Sequence, residues 1–328
     1  MKFNYIIGNP PYQEEDGGGS NGISAAPLYH KFIEQVKLLD PDCLCLIIPS
    51  RWFAGGKGLA RFRETMKADK SIKQIVHYPK SWECFPEADI AGGVCHFVRL
   101  SSYRGLCRFI TKKNGKIVQK NRDLAEFDAI VGDNDGIEIL RKILSRSTEF
   151  LDKSVLPRNS FGFATSARGT KDYFQGACKL YSSSGISYIS RKDITRNSSI
   201  ADTYKIVIGT LNPDRGGVNN SRNGMTNVTT KIKILQPDEI PTETYIVVNF
   251  FYDSNKAINF ASYLATRFAR YLVSLTLSSM HIVRSNFKYV PALDFSKHYT
   301  DDELYAKYEL SKEEIEIIES SIKPMNIP

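Results

Sequence analysis

Four consecutive residues near the start make the strongest chemical suggestion in the chain: Asn9, Pro10, Pro11 and Tyr12, within the stretch FNYIIGNPPYQ. An apolar strand runs straight into two prolines, neither of which has a backbone N–H to continue sheet pairing. The residue before each proline is driven to extended geometry. The spacing predicts a strand that ends at Gly8 or Asn9, followed by a stiff extended lip. Such a lip holds an amide, a pre-aimed carbonyl and an aromatic ring at one strand end. An exocyclic amine on a purine is a poor nucleophile because its lone pair is delocalised into the ring. Two acceptors aimed at its two N–H bonds favour a pyramidal nitrogen and localise that pair. The Asn9 side-chain oxygen and the Pro10 carbonyl are suited to that task. Tyr12 is placed to stack on the base, a contact worth about 1–3 kcal/mol. The plainer alternative is a proline-terminated strand beside a core tyrosine.

The elements that would position this lip follow from periodicity. YIIG reads as a strand, and LYHKFIEQVKLL as a helix with Leu28, Phe32 and Val36 at helical spacing. CLCLIIPS is a continuous apolar run of the kind parallel sheets bury. LARFRETMKAD reads as an amphipathic helix, and IKQIVHYP, GVCHFVRL and GLCRFIT as further strands. Alternation of this kind predicts an α/β sheet with helices on its faces. Ligands bind at the carboxyl ends of the strands of such sheets, where the lip stands.

The pattern changes near Thr148, where Ser, Thr, Asn and Gly become frequent and the apolar runs shorten (YIS, KIVIGTL, KIKIL, TYIVVNFFY). A helix is predicted over AINFASYLATRFARYLVSL. Two more close the chain, the first capped by Thr300 and the second by a capping box of Ser311 and Glu314. The predicted division is 1–147 and 148–328.

Charge follows the same division. The net charge is +8, and residues 148–293 hold 18 Lys or Arg against 10 Asp or Glu. Residues 294–328 hold 4 against 9. A basic middle with an acidic close suits a polyanion-binding surface followed by a solvated segment. Candidate contacts to such a polyanion are Arg158, Arg168, Lys171, Arg191, Lys192, Arg196, Arg215, Arg222 and Lys231, set among polar loop residues. Taken singly, each also reads as a solvated surface charge. No apolar run has the length of a membrane span. The six cysteines show no CxxC pair or metal-ligand spacing and read as buried thiols in a cytoplasmic protein. His30, His77, His96, His281 and His298 form no triad spacing, and no metal site is expected. DGGGSNG (Asp16–Gly22) lacks the ending of a phosphate loop and reads as a connector or a flap over the pocket.

The lip resembles the signature of amino-group DNA methyltransferases of the adenine-N6 class, from restriction–modification systems. CLCLIIPSRWF is similar to the family's next strand, and ECFPEADIAGGVCHFVRL to the region where a phenylalanine, here Phe85, packs against the extruded adenine opposite Tyr12. The resemblance covers about Phe3 to Leu100. It implies S-adenosylmethionine as methyl donor and a partial Rossmann-like sheet followed by a mixed α+β target-recognition domain. The region after Thr148 and the close FKYVPALDFSKHYTDDELYAKYELSKEEIEIIE are similar in style to such enzymes.

One departure from the family matters. The glycine-bearing turn and the acidic strand end that hold the cofactor precede the lip in this class, whereas only eight residues precede Asn9 here. The chain therefore reads as the C-terminal half of the catalytic domain plus a recognition domain. It is not expected to methylate DNA appreciably alone. A separate N-terminal part, self-association or a rearranged sheet is expected to cover the exposed apolar surface. Two other readings stand beside this one: a non-catalytic DNA-binding or specificity module, and methylation of an RNA base or a protein glutamine.

Overall fold

The computed structural model describes residues 3–14, 26–88, 90–214 and 224–326. The Asp16–Gly22 stretch, Arg215 and Arg222 lie outside them. The described residues form two compact units. The first runs to Ile137 and takes in Leu275–Met280, and the second begins at Glu138 and holds the remainder.

The first unit is built on β1 (Tyr5–Gly8), α1 (Tyr29–Leu38), β2 (Cys43–Pro49), α2 (Ala60–Ala68), β3 (Ile72–Tyr78), β4 (Val94–Leu100), β5 (Cys107–Lys113) and β6 (Lys116–Arg122). Its sheet has the order β1-β2-β4-β3-β5-β6. The sheet is mixed: β1 with β2 and β3 with β5 are parallel, and the other three pairings are antiparallel. This is the α/β class that the alternation predicts. The polar strand β6 has no apolar run to announce it. It exists because Asn114 and Gly115 take φ of 56° and 73°, forming a two-residue hairpin turn with β5.

One face of this sheet is covered. Leu44, Leu46 and Ile48 of β2 join Ile75, Phe97 and Phe109 in a core closed by Tyr29, Ile33, Phe62 and Met66 of the helices. The buried stripe of α1 is therefore Tyr29 and Ile33, with Val36 partly buried. Phe32, expected inside, is 42% exposed. The other face is open toward β1: Tyr5 and Ile7 are 73% and 77% exposed, and their register partners Cys43 and Cys45 are half-buried. Among the described residues β1 pairs only with β2, which leaves its outer edge free.

The second unit takes most of α3 (Gly136–Arg146), then β7 (Ala177–Ser182), β8 (Gly185–Ser190), β9 (Tyr204–Gly209), β10 (Lys233–Leu235), β11 (Glu239–Pro241) and β12 (Tyr245–Phe251). These strands form two three-stranded sheets, β10-β9-β12 and β11-β7-β8. Four helices follow: α4 (Ser254–Ala265), α5 (Arg267–Ser274), α6 (Asp301–Lys307) and α7 (Lys312–Ser321). The single helix expected over 257–275 is broken at Thr266. Its hydroxyl accepts from Ala269 N–H (3.1 Å), and Asp301 accepts from the N–H groups of Arg267 and Phe268 (3.1 and 2.8 Å). The broken helix thus gains a new capped start. Thr300 with Glu303, and Ser311 with Glu314, form the two capping boxes at the close. Among the described residues no helix is long and apolar enough to cross a membrane, and no group of His, Cys, Asp or Glu could hold a metal ion.

Candidate active site

β1 stops at Gly8, and the lip doubles back on the start of α1. Gln13 bridges Pro27, Glu14 N–H donates to Ala26 carbonyl (3.0 Å), and Leu28 N–H donates to Tyr12 carbonyl (3.0 Å). These bonds fix the backbone on one side of the lip and leave Asn9 exposed and Tyr12 half-buried. The carboxyl end of β2 turns at Pro49 into a single 3-10 turn, Ser50–Phe53. Arg63 of α2 locks that turn, its Nε donating to Trp52 carbonyl (2.6 Å) and its terminal nitrogen to Gly55 carbonyl (2.5 Å). Ser50 N–H donates to Gly93 carbonyl (2.9 Å), and Gly93 N–H to Ile90 carbonyl (2.9 Å), so the loop before β4 is tied to the same place. Gly92, at φ 85°, lies so close to the Leu275–Met280 segment that a Cβ there would stand 2.4 Å from Ser278 carbonyl oxygen.

These elements enclose a cavity of about 620 Å³, within the usual range for small-molecule sites. It is lined by Asn9–Gln13 of the lip, Pro27 and Tyr29, Pro49 and Arg51, Ile90 and Ala91, and Met280. Burial, followed by the Cys84 thiol, pushes the Tyr12 phenol up to about 12, so it remains a neutral flat ring. Burial raises the Tyr29 phenol too. Both hydroxyls are buried without a hydrogen-bond partner, and Tyr12 approaches the Asn9 side chain without normal bond geometry. Behind them, the Ser50 hydroxyl and the Trp52 indole N–H also lack partners of normal geometry and lie against Cys95.

Asn9, Pro10, Pro11 and Tyr12 are thus brought together on one open cavity. Phe85 is half-buried, its N–H donating to Ser81 carbonyl (2.7 Å), and it is not among the lining residues. Sequence reasoning missed Tyr29, Arg51, Ile90, Ala91 and Met280. Tyr29 carried a readable signal, since Tyr29 and Ile33 are four residues apart on α1. Met280 carried none, because its place depends on the fold.

The basic candidates fare unevenly. Arg158 stands 3.4 Å from Glu243. Arg168 donates to Thr165 carbonyl, Ala167 carbonyl and Ser184 hydroxyl (2.8, 2.7 and 2.7 Å). Arg191 pairs with Asp202, and with Asp238 at 2.8 Å; hydrogen bonding to Asp202 raises the Arg191 pKa. Lys171, Lys192, Arg196 and Lys231 are exposed.

Residues 1–85, the segment that carries the lip, match the family model described as Eco57I restriction-modification methylase. An "Uncharacterized adenine-specific methylase" of Mycoplasma pneumoniae is 39% identical over 119 residues, covering 35% of this chain and 28% of that protein. The chain thus spans well under two thirds of that relative. Among solved structures, the type IIL restriction-modification enzyme MmeI in complex with DNA is 9% identical, with 87% of this chain and 46% of that one covered and a TM-score of 0.45. The type IIG restriction endonuclease BpuSI is 10% identical, with 92% and 50% covered and a TM-score of 0.32. TM-scores below 0.5 do not establish a shared fold.

Proposed function

We propose that this chain carries the base-binding part of a DNA adenine-N6 methyltransferase of a restriction–modification system, acting on double-stranded DNA in the cytoplasm. The observation that carries the reading is the cavity at the end of β1, in which Asn9, Pro10 and Tyr12 share one open wall. Asn9 Oδ1 and the Pro10 carbonyl accept the two N–H bonds of an extruded adenine, and Tyr12 stacks on its ring. The family match and the adenine-specific relative support the same chemistry. Residues 1–147 serve as the catalytic part and 148–328 as the recognition part, whose basic side chains grip phosphates and reach base edges.

Methylases of this kind take their methyl group from S-adenosylmethionine, which supplies an electrophilic carbon. The described lining residues do not fit the whole of that molecule: no carboxylate among them is available for ribose hydroxyls. The chain's own residues are assigned to the base side alone. The free outer edge of β1 and the exposed Tyr5 and Ile7 suit a covering partner, either an N-terminal methyltransferase part or a second copy. The lack of a carboxylate among the described lining residues leaves a second reading beside the first, a DNA-binding module without catalysis. Calorimetry with S-adenosylmethionine, with and without a candidate N-terminal part, separates the two.

The test of the base-side assignment is Asn9→Ala in the reconstituted enzyme. Loss of one pre-aimed acceptor is expected to lower methyl transfer by on the order of 10²–10³-fold while DNA affinity stays nearly intact. Parental turnover in the variant would overturn the assignment.

A further inference from the structure

We propose that Arg51 is the phosphate anchor of the base cavity, gripping a backbone phosphate of the same nucleotide whose base Asn9 and Tyr12 hold. The proposal rests on the base-binding reading and adds a second contact to it.

The backbone around Arg51 is fixed three ways. Arg63 holds Trp52 and Gly55 carbonyls, Ser50 is tied to Gly93, and Gly55 N–H donates to Arg51 carbonyl (3.2 Å). The side chain, by contrast, has no hydrogen bond or ion pair among the described residues, although it is half-buried and lines the cavity. A guanidinium that has shed part of its water and gained no partner is held at a cost. That cost is recovered when an anion enters. The remaining described lining is made of prolines, amides, phenols and apolar side chains, with no carboxylate among the described residues. Glu14, the described acid nearest the lip in sequence, is committed to Lys31 at 3.1 Å. Arginine's planar fork matches a phosphate through two parallel N–H bonds, which a point charge does not. A base swung out of a duplex carries its sugar and flanking phosphates with it. A nucleotide seated against Asn9 therefore presents such a group at the cavity wall.

The probes are the 2-aminopurine deoxynucleoside and its 3′- and 5′-monophosphates, titrated into the full chain and read by fluorescence quenching on stacking. One monophosphate is expected to bind on the order of tenfold more tightly than the nucleoside, as a charge-assisted contact implies. Arg51→Ala is expected to bring that ratio to about one while leaving nucleoside affinity unchanged, which also shows the cavity intact. Arg51→Lys is expected to restore part of the advantage. Tyr12→Ala is expected to weaken all three ligands alike, because 2-aminopurine carries its amino group at C2 and is held by stacking.

Equal binding of nucleoside and monophosphates by the parent overturns the anchor and leaves the base reading standing. Persistence of the advantage in Arg51→Ala assigns the phosphate to another cation and likewise overturns it. So does an Arg51-dependent affinity for the amino-acid carboxylate of S-adenosylhomocysteine without any for phosphate. Quenching by none of the probes overturns the Tyr12 stacking contact and the anchor together.

Discussion

The cavity of the first unit and the basic loops of the second use polar groups in opposite ways. Around the cavity, the Tyr12 and Tyr29 hydroxyls have no hydrogen-bond partner of normal geometry among the described residues, and the Arg51 side chain has none there either. In the second unit, Arg168 is bound to two carbonyls and a hydroxyl, and Arg191 to two carboxylates. Unpaired buried polar groups lower stability, and several of them around one opening are left available to a ligand. Cations already paired to neighbouring acids are part of the loop's own structure. Positive charge alone therefore does not mark a nucleic-acid contact; an unspent hydrogen-bonding capacity does.

The largest effect that sharpens this contrast concerns a group spent on the fold. His77 of β3 is buried, its Nδ1 2.9 Å from Gly132 carbonyl and its ring 4.9 Å from that of Phe53. Burial lowers its pKa from 6.5 to about 4, against smaller opposing contributions from Gly132 and Asp133. A histidine with a depressed folded-state pKa takes up its proton more readily when unfolded. Stability then rises with pH from about 4 to 6.5 and is lost as pH falls through that window. The contribution is on the order of 3 kcal/mol. Unfolding free energies from urea titrations at the two ends of the window are expected to differ by that much more in the parent than in His77→Asn. An identical pH slope in both would show that the ring is not held neutral.

The next effect falls on the wall shared by the glycine turn and Leu275–Met280. Gly92→Ala puts a methyl group within 2.4 Å of Ser278 carbonyl oxygen at a φ of 85°, a conformation that disfavours side chains. The expected cost is about 1–3 kcal/mol, together with weakened 2-aminopurine nucleoside binding as Met280 is pushed away. Unchanged melting and binding would mean that the segment is not needed to close the cavity.

Legibility in the sequence tracks locality. The lip, β1, β2, the Thr300 cap and the Ser311–Glu314 capping box were readable because proline, apolar runs and cap spacing act over a few residues. The strand β6 was not, because its residues are polar and its existence depends on the Asn114–Gly115 turn and on β5 beside it. The break at Thr266 was hidden because Asp301, which caps the new helix start, lies more than thirty residues away. The cavity wall was legible only in its proline lip. Arg51 and Met280 reach it through the packing of β2 and of a segment from the far end of the chain.

The smallest expected effect is also the most direct test of paired against unpaired cations. Arg191 and Lys192 are neighbours, both exposed, yet Arg191 holds Asp202 and Asp238 while the Lys192 side chain holds no residue among those described. Arg191→Ala is expected to lower stability by about 0.2–1 kcal/mol, the range for an exposed ion pair, because its side chain keeps 43% of its exposure. Its effect on DNA affinity is expected to be small, since the guanidinium would have to leave two carboxylates to reach a phosphate. Lys192→Ala is expected to leave the melting curve unchanged and to lower the salt dependence of DNA binding by about one unit of log–log slope. The reverse pattern, with Arg191 governing the salt slope and Lys192 silent, would show that DNA displaces those carboxylates on binding. Pairing in the free protein would then be no guide to which cations the second unit offers.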